Sequence, residues 1–246
     1  MSPEVTVGTV FCNGVHAVEL LWRSYYFHNK GVPVKLWCWD NASTDGAAEY
    51  AAKHSAKLFR NPPRTSHQQG ADSMAKECDT PFFLLLDFDV EFRGEFTERA
   101  LEMLKFNPGA LCVSYPSGNP GKQFPVGNFG LMDGTKRINP CCTLFRSDKI
   151  KRILEHFTFG TYFNFGTKRQ FFDVGAMIRQ VAEVAGMEVL EPAWVGHAVH
   201  HFGQIGALVA NHDIPVNLRG ELERRYAMMT KRAELYEEPP STFGNP

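Results

Sequence analysis

The stretch Phe82 to Phe92, FFLLLDFDVEF, runs five apolar residues straight into Asp87, Phe88 and Asp89. Residues i and i+2 of a strand point to the same side, so the two carboxylates can face one cation together. Hard oxygen ligands of this kind suit Mg2+ or Mn2+. The apolar run does not alternate, which predicts a strand buried on both faces. Unpaired carboxylates are costly inside a protein. They are tolerable at the carboxyl edge of an open α/β sheet, where such sheets bind their ligands. Two solvated acids at a strand end would produce the same pattern, because D-x-D is short. Two further groups need explaining with it: Asp40 closes the apolar run VKLWCW, and WVGHAVHHFG supplies His197, His200 and His201.

These residues need a frame. Val5–Phe11 reads as a strand broken by Asn13-Gly14, and Val15–Phe27 carries helical apolar spacing. Val34–Trp39, Lys57–Arg60, Phe82–Leu86, Ala110–Ser114 and Cys141–Arg146 read as further strands. Ala47–His54, Gln68–Cys78, Phe96–Phe106, Asp148–His156 (with Ser147 as N-cap), Phe172–Ala185 and Asn217–Tyr236 read as helices. The alternation predicts an α/β fold with a mostly parallel, doubly wound sheet. Pro116–Lys136, rich in Gly, Pro and Asn, reads as a long loop that shapes a substrate site. The tail EEPPSTFGNP reads as frayed.

Composition narrows the class. The 246-residue chain carries a net charge of −1, so no global basic field points to nucleic acid or an anionic membrane. Lys149, Lys151 and Arg152 read as a solvated helix face. The six cysteines form no C-x-x-C and several lie in apolar runs, which predicts reduced thiols in a cytoplasmic protein. The N-terminus lacks a basic and an apolar signal region, and no apolar run reaches the roughly 20 residues of a membrane span.

Taken in order, VTVGTVFCN, LWCWDNASTDG and FFLLLDFDV resemble the nucleotide-sugar half of GT-A glycosyltransferases, especially the family 2-like group. The resemblance covers roughly residues 1–115; the C-terminal half matches more loosely. It implies a single GT-A domain: 1–115 for the nucleotide sugar, 116–216 for acceptor and metal, then a C-terminal helix and tail over 217–246. It implies that Thr9 and neighbouring backbone border the nucleobase, with Asn41 and Phe88 beside the nucleotide, and that Asp40 accepts N3–H of a uracil. Asp72 would line the same pocket. Asp87 would meet the ribose or a metal-bound water, and Asp89 would bind Mn2+ or Mg2+ directly. A C-terminal histidine would complete the site, His201 ahead of His200 and His197. Asp173 is the candidate base for an inverting transfer, with a helix cap as its structural reading. The Q-x-x-R-W signature of processive synthases is missing, which points to transfer of single sugars. The acceptor is left open between a glycan, a lipid-linked sugar, a small molecule, a protein and a nucleobase.

Other readings stay beside this one. LLLDFDV also fits a haloacid-dehalogenase-type phosphatase, with Asp87 as nucleophile and Asp89 as acid/base, although that motif normally opens the fold. A sugar-1-phosphate nucleotidyltransferase would want a Gly-rich basic loop where FCNGVHAVE stands. A non-catalytic nucleotide-sugar-binding module would keep the same motifs. The histidines could also be core residues or a zinc cluster, though no finger-type spacing accompanies them. Asp45 reads as a helix N-terminal acid, and Trp22, Trp37, Trp39 and Trp194 as core. Lys122, Arg137 and Arg146 could meet phosphates, and Asn128, Phe129 and Gly130 could belong to an acceptor loop.

Overall fold

The computed structural model describes residues 2–61, 66–117, 137–165, 168–172, 175–209, 214, 216–241 and 243; for 161–165, 168–172 and 207 it describes the backbone alone. In chain order the elements are β1 (Val5–Phe11), α1 (Val15–Asn29), β2 (Val34–Asp40), α2 (Ala47–His54), β3 (Lys57–Arg60), α3 (His67–Glu77), β4 (Phe82–Asp87) and β5 (Val90–Phe92). Then come α4 (Thr97–Phe106), β6 (Ala110–Tyr115), β7 (Asn139–Arg146), α5 (Ser147–Leu154), β8 (Thr161–Phe165) and β9 (Lys168–Phe172). The chain continues through α6 (Ala176–Val184), β10 (Glu188–Leu190), α7 (Ala193–Ala198), β11 (Val199–His201), α8 (Ile205–Val209) and α9 (Val216–Ala233).

Among the described residues seven strands form the central sheet, in the order β10-β6-β7-β4-β1-β2-β3. Only β7 is reversed, pairing antiparallel with both β4 and β6, so the sheet is mixed but mostly parallel. β4 explains its own apolar run. Phe82, Leu84 and Leu86 pack into the core on the side of α1, α4 and α9, while Phe83 and Leu85 pack into the core under α3, α5 and α6. Helices therefore cover both faces, and no position of Phe82–Leu86 is left for a polar residue. Gly8 and Gly70 allow the close approach of β1 and α3: a Cβ on Gly70 would lie 2.8 Å from the Trp39 ring and from Val10.

Several local expectations change. The helix expected from Phe172 begins at Ala176, because Gly175 takes the left-handed conformation (φ 87°) and Phe172 instead pairs with Thr161 in the β8–β9 ladder. Ser147 is not the cap of α5; it is the first helical residue, and its hydroxyl lies 3.4 Å from the Cys78 thiol. The tail is anchored rather than frayed over its described part. Glu238 pairs with Arg23 (2.5 Å), Lys53 (3.0 Å) and the buried His54 (3.1 Å), and Phe243 packs edge-on against Tyr26. Lys149 does not face solvent freely, since its ammonium donates to the carbonyls of Pro108, Gly109 and Ala110. All six cysteines are free. Among the described residues no helix is long and apolar enough to cross a membrane.

Candidate metal and nucleotide-sugar site

The register of the central strands brings the acids to one edge. Phe11, the last residue of β1, pairs with Asp40 of β2, and Val10 pairs with Asp87 of β4. Asp40 and Asp87 thus flank the carboxyl end of β1, about 10 Å apart at two strand spacings. The loops leaving β1 and β2 are fastened together. Asn13 (φ 60°) receives the Thr44 amide on its side chain, and its own amide donates to the Ser43 hydroxyl. Asp45 accepts from the amides of Gly14 and Val15 at the start of α1 and of Ala47 at the start of α2, so it is a helix N-terminal acid twice over.

Asp40 is buried and accepts the Ser43 amide on Oδ1 (2.9 Å). Asn41 takes the Trp39 indole N–H on its side-chain oxygen. Thr9 is 0% exposed on the face of β1 turned toward α1, and its hydroxyl has no partner among the described residues. Asp72 accepts the amide of Phe159 (2.8 Å), and burial pushes its carboxyl up to about 6 against the pull of that amide and of Lys76.

Asp87 and Asp89 do not wait alone at the end of β4. The chain turns into the three-residue β5, which pairs antiparallel with β11, placing His201 opposite Val90 and His200 opposite Glu91. That ribbon carries His201 Nε2 to 3.1 Å from Asp89 Oδ1 and 3.5 Å from Asp87 Oδ2. One ligand atom from each of Asp87, Asp89 and His201 falls within 4.8 Å of the others. Two hard carboxylates and an imidazole fit a six-coordinate divalent ion, whose neighbouring ligands at bond lengths of about 2.1–2.2 Å stand about 3 Å apart. Asp89 is fixed from both ends, since its Oδ2 accepts the Ile205 amide and its carbonyl accepts the Phe202 amide. Burial raises the Asp87 carboxyl, His67 opposes that shift, and Asp89 reinforces it. Burial alone would lower His201, but its hydrogen bond to Asp89 and the charges of both aspartates raise it.

Of the three histidines, His201 is the one at the site. His200, its neighbour on the strand, points away and stacks edge-on against Phe202, and His197 is exposed on α7. His67, the first residue of α3, was not singled out in the sequence; its Nε2 lies 3.5 Å from Asp87 Oδ1. Its only signal was its place in the helix preceding β4. Arg137 acts electrostatically on both Asp87 and His201. Arg146 serves elsewhere, donating to the Leu104 and Asn107 carbonyls at the end of α4. The Arg99 guanidinium covers the Trp194 ring, 4.2 Å from its centroid. Trp22, Trp37 and Trp39 are buried as expected. Asp173, Lys122, Asn128, Phe129 and Gly130 lie outside the described residues.

A mostly parallel sheet with one reversed strand, helices on both faces and ligands at its carboxyl edge defines the GT-A class of fold. It is shared with a mannosyltransferase from Pyrobaculum calidifontis, PcManGT, described in complex with GDP-Man and Mn2+ (TM-score 0.52, 16% identity, covering 96% of this chain and 74% of that one). A family model described as glycosyl transferase family 2 matches residues 26–175, more than half of the chain, and the chain belongs to that family. TarS from S. aureus aligns over a smaller part, with TM-score 0.45, 16% identity and coverage of 61% of this chain and 49% of that one. No curated protein matches the sequence. The family match takes in Asp40, Asp87 and Asp89, and stops short of His201.

Proposed function

We propose that this glycosyltransferase moves a single sugar from a UDP-linked donor to an acceptor nucleophile, with inversion and with Mn2+ or Mg2+ bound by Asp87, Asp89 and His201. The observation that supports it best is the meeting of those three ligand atoms on the sheet edge that also carries Asp40. A divalent ion there supplies neutralisation of the donor diphosphate as it leaves. The chain's own groups do the rest. Asp40 spends Oδ1 on the Ser43 amide, leaving Oδ2 to accept N3–H of the base. Asn41, Phe88 and the backbone near Thr9 border the nucleotide, and Asp72 lines the same pocket. Asp173, two residues before Gly175 in the sequence, is the proposed base that takes the acceptor proton. The chain is read as one domain, with residues 1–115 for the donor and 116–216 for the acceptor, in a cytoplasmic protein. The acceptor stays within glycans, lipid-linked sugars, small molecules, proteins and nucleobases.

The test is turnover. The protein is incubated with UDP-, GDP-, dTDP- and CMP-sugars and Mn2+, with and without pooled acceptors, and the released nucleotide is measured. Acceptor-stimulated release of UDP, lost in Asp173→Asn with donor binding kept, is the expected result. Release of another nucleoside diphosphate would correct the donor. Binding of a donor without turnover on any acceptor would support a non-catalytic module.

A further inference from the structure

Behind the proposed metal site lies a buried charge that the reaction does not use. Glu91, in the middle of β5, is 0% exposed. Its Oε1 accepts from Arg232 Nε (2.6 Å) and the Tyr236 hydroxyl (2.8 Å) and forms an ion pair with Arg232 Nη2 (2.5 Å), and its Oε2 accepts from Arg93 (3.0 Å). Glu91 stands opposite His200, on the ribbon face away from His201. The same stretch of chain holds the ribbon at two more points. Tyr236 also donates to the Phe92 carbonyl (3.3 Å), and Arg225 donates to the carbonyl of Phe202 (2.7 Å), the residue after His201.

We infer that α9 and the turn after it are a positioning element for the metal site, acting on Asp89 and His201 through Glu91. This rests on the Asp87–Asp89–His201 reading above. The ribbon is only three residues on each side, and a two-stranded ribbon that short does not hold its own shape. Yet Asp89 directly precedes β5 and His201 ends β11, so the tilt of the ribbon sets their 3.1 Å separation. A metal site needs its ligands placed within about 0.5 Å. A buried ion pair is poor evidence for stability, since apolar side chains of like size often do as well, but it is directional. Four donated bonds and an ion pair, from Arg232, Tyr236 and Arg225, fix the ribbon's direction where an apolar contact would let it slide. Arg225, Arg232 and Tyr236 lie beyond residue 175, so this element is outside the part of the chain that the family model matches.

The test is Mn2+ affinity of the full chain without nucleotide, read from free Mn2+ by electron paramagnetic resonance, with Tm measured alongside. Arg232→Met should weaken Mn2+ binding about 10-fold or more, as loss of an outer-shell partner does. Arg232→Lys should recover part of it, and Tyr236→Phe should weaken binding less. Arg146→Met, which loosens the opposite end of β4, should lower Tm and leave Mn2+ affinity as in the wild type. Folded Arg232→Met and Tyr236→Phe proteins with wild-type affinity would overturn the inference; if Arg232→Met does not fold, Tyr236→Phe decides. Wild-type protein that binds no Mn2+, or an Asp89→Ala variant that binds it equally well, would overturn the metal site itself.

Discussion

Asp72 offers a stability prediction with an unusual sign. Its carboxyl lies under α3 with the Phe159 amide as its partner, and burial raises it from 3.8 to about 6. The folded state therefore holds the proton more tightly than the unfolded state. Stability is highest when both are protonated, falls as pH rises from about 4 to about 6, and stays low above that. A shift of about two units is about 3 kcal/mol at neutral pH, and about 1–3 kcal/mol once solvent reaching part of the group is allowed for. Asn in place of Asp mimics the protonated acid and can still accept from Phe159. Asp72→Asn should thus stabilise the protein at pH 8, raising Tm by roughly 2–12 °C at 2–4 °C per kcal/mol for a chain of this size. At pH 5 the gain should shrink to about half, because the wild-type acid is then largely protonated. The assay is thermal unfolding of both proteins from pH 5 to pH 8. A variant that is less stable at pH 8 would show that Asp72 is ionised and favourably bound, and a gain that does not change with pH would show that folding does not raise its carboxyl.

Other outcomes follow from the same geometry. Gly175→Ala should destabilise by at least about 2 kcal/mol in denaturant titration, since its φ of 87° disfavours a side chain and its Cβ would collide with the Ile138 carbonyl. His201→Ala should lower Mn2+ affinity about 10-fold or more, while His200→Ala and His197→Ala leave it within about two-fold, measured by titration calorimetry. Five of the six thiols are buried, so a native thiol titration should report no more than Cys12, and reducing agent should leave Tm unchanged.

The sequence made some of this legible for clear reasons. β4 announces itself because both of its faces are buried, and five apolar residues without alternation leave little else for it to be. Asp40 and Asp87 could be placed on one edge because strands of a parallel sheet that alternate with helices all end on the same side. The ribbon was not legible. Three residues of β5 meet three of β11 across more than a hundred positions, and neither segment is long enough to show a period. His201 could be favoured over its neighbours but not separated from them, since only the ribbon's register turns it inward. His67 and the partners of Glu91 were hidden for the same reason: each is one polar residue whose meaning comes from a contact distant in sequence. Gly175 gave a signal that helical spacing alone misread, because the apolar residues before it belong to a strand.

The most direct test is calorimetric titration of UDP into the wild type and Asp89→Ala, each with Mn2+ and with chelator. The account predicts that the wild type binds UDP only with Mn2+, and that Asp89→Ala stays folded and loses this binding. Equal binding by the two proteins, or binding that ignores the metal, would contradict it.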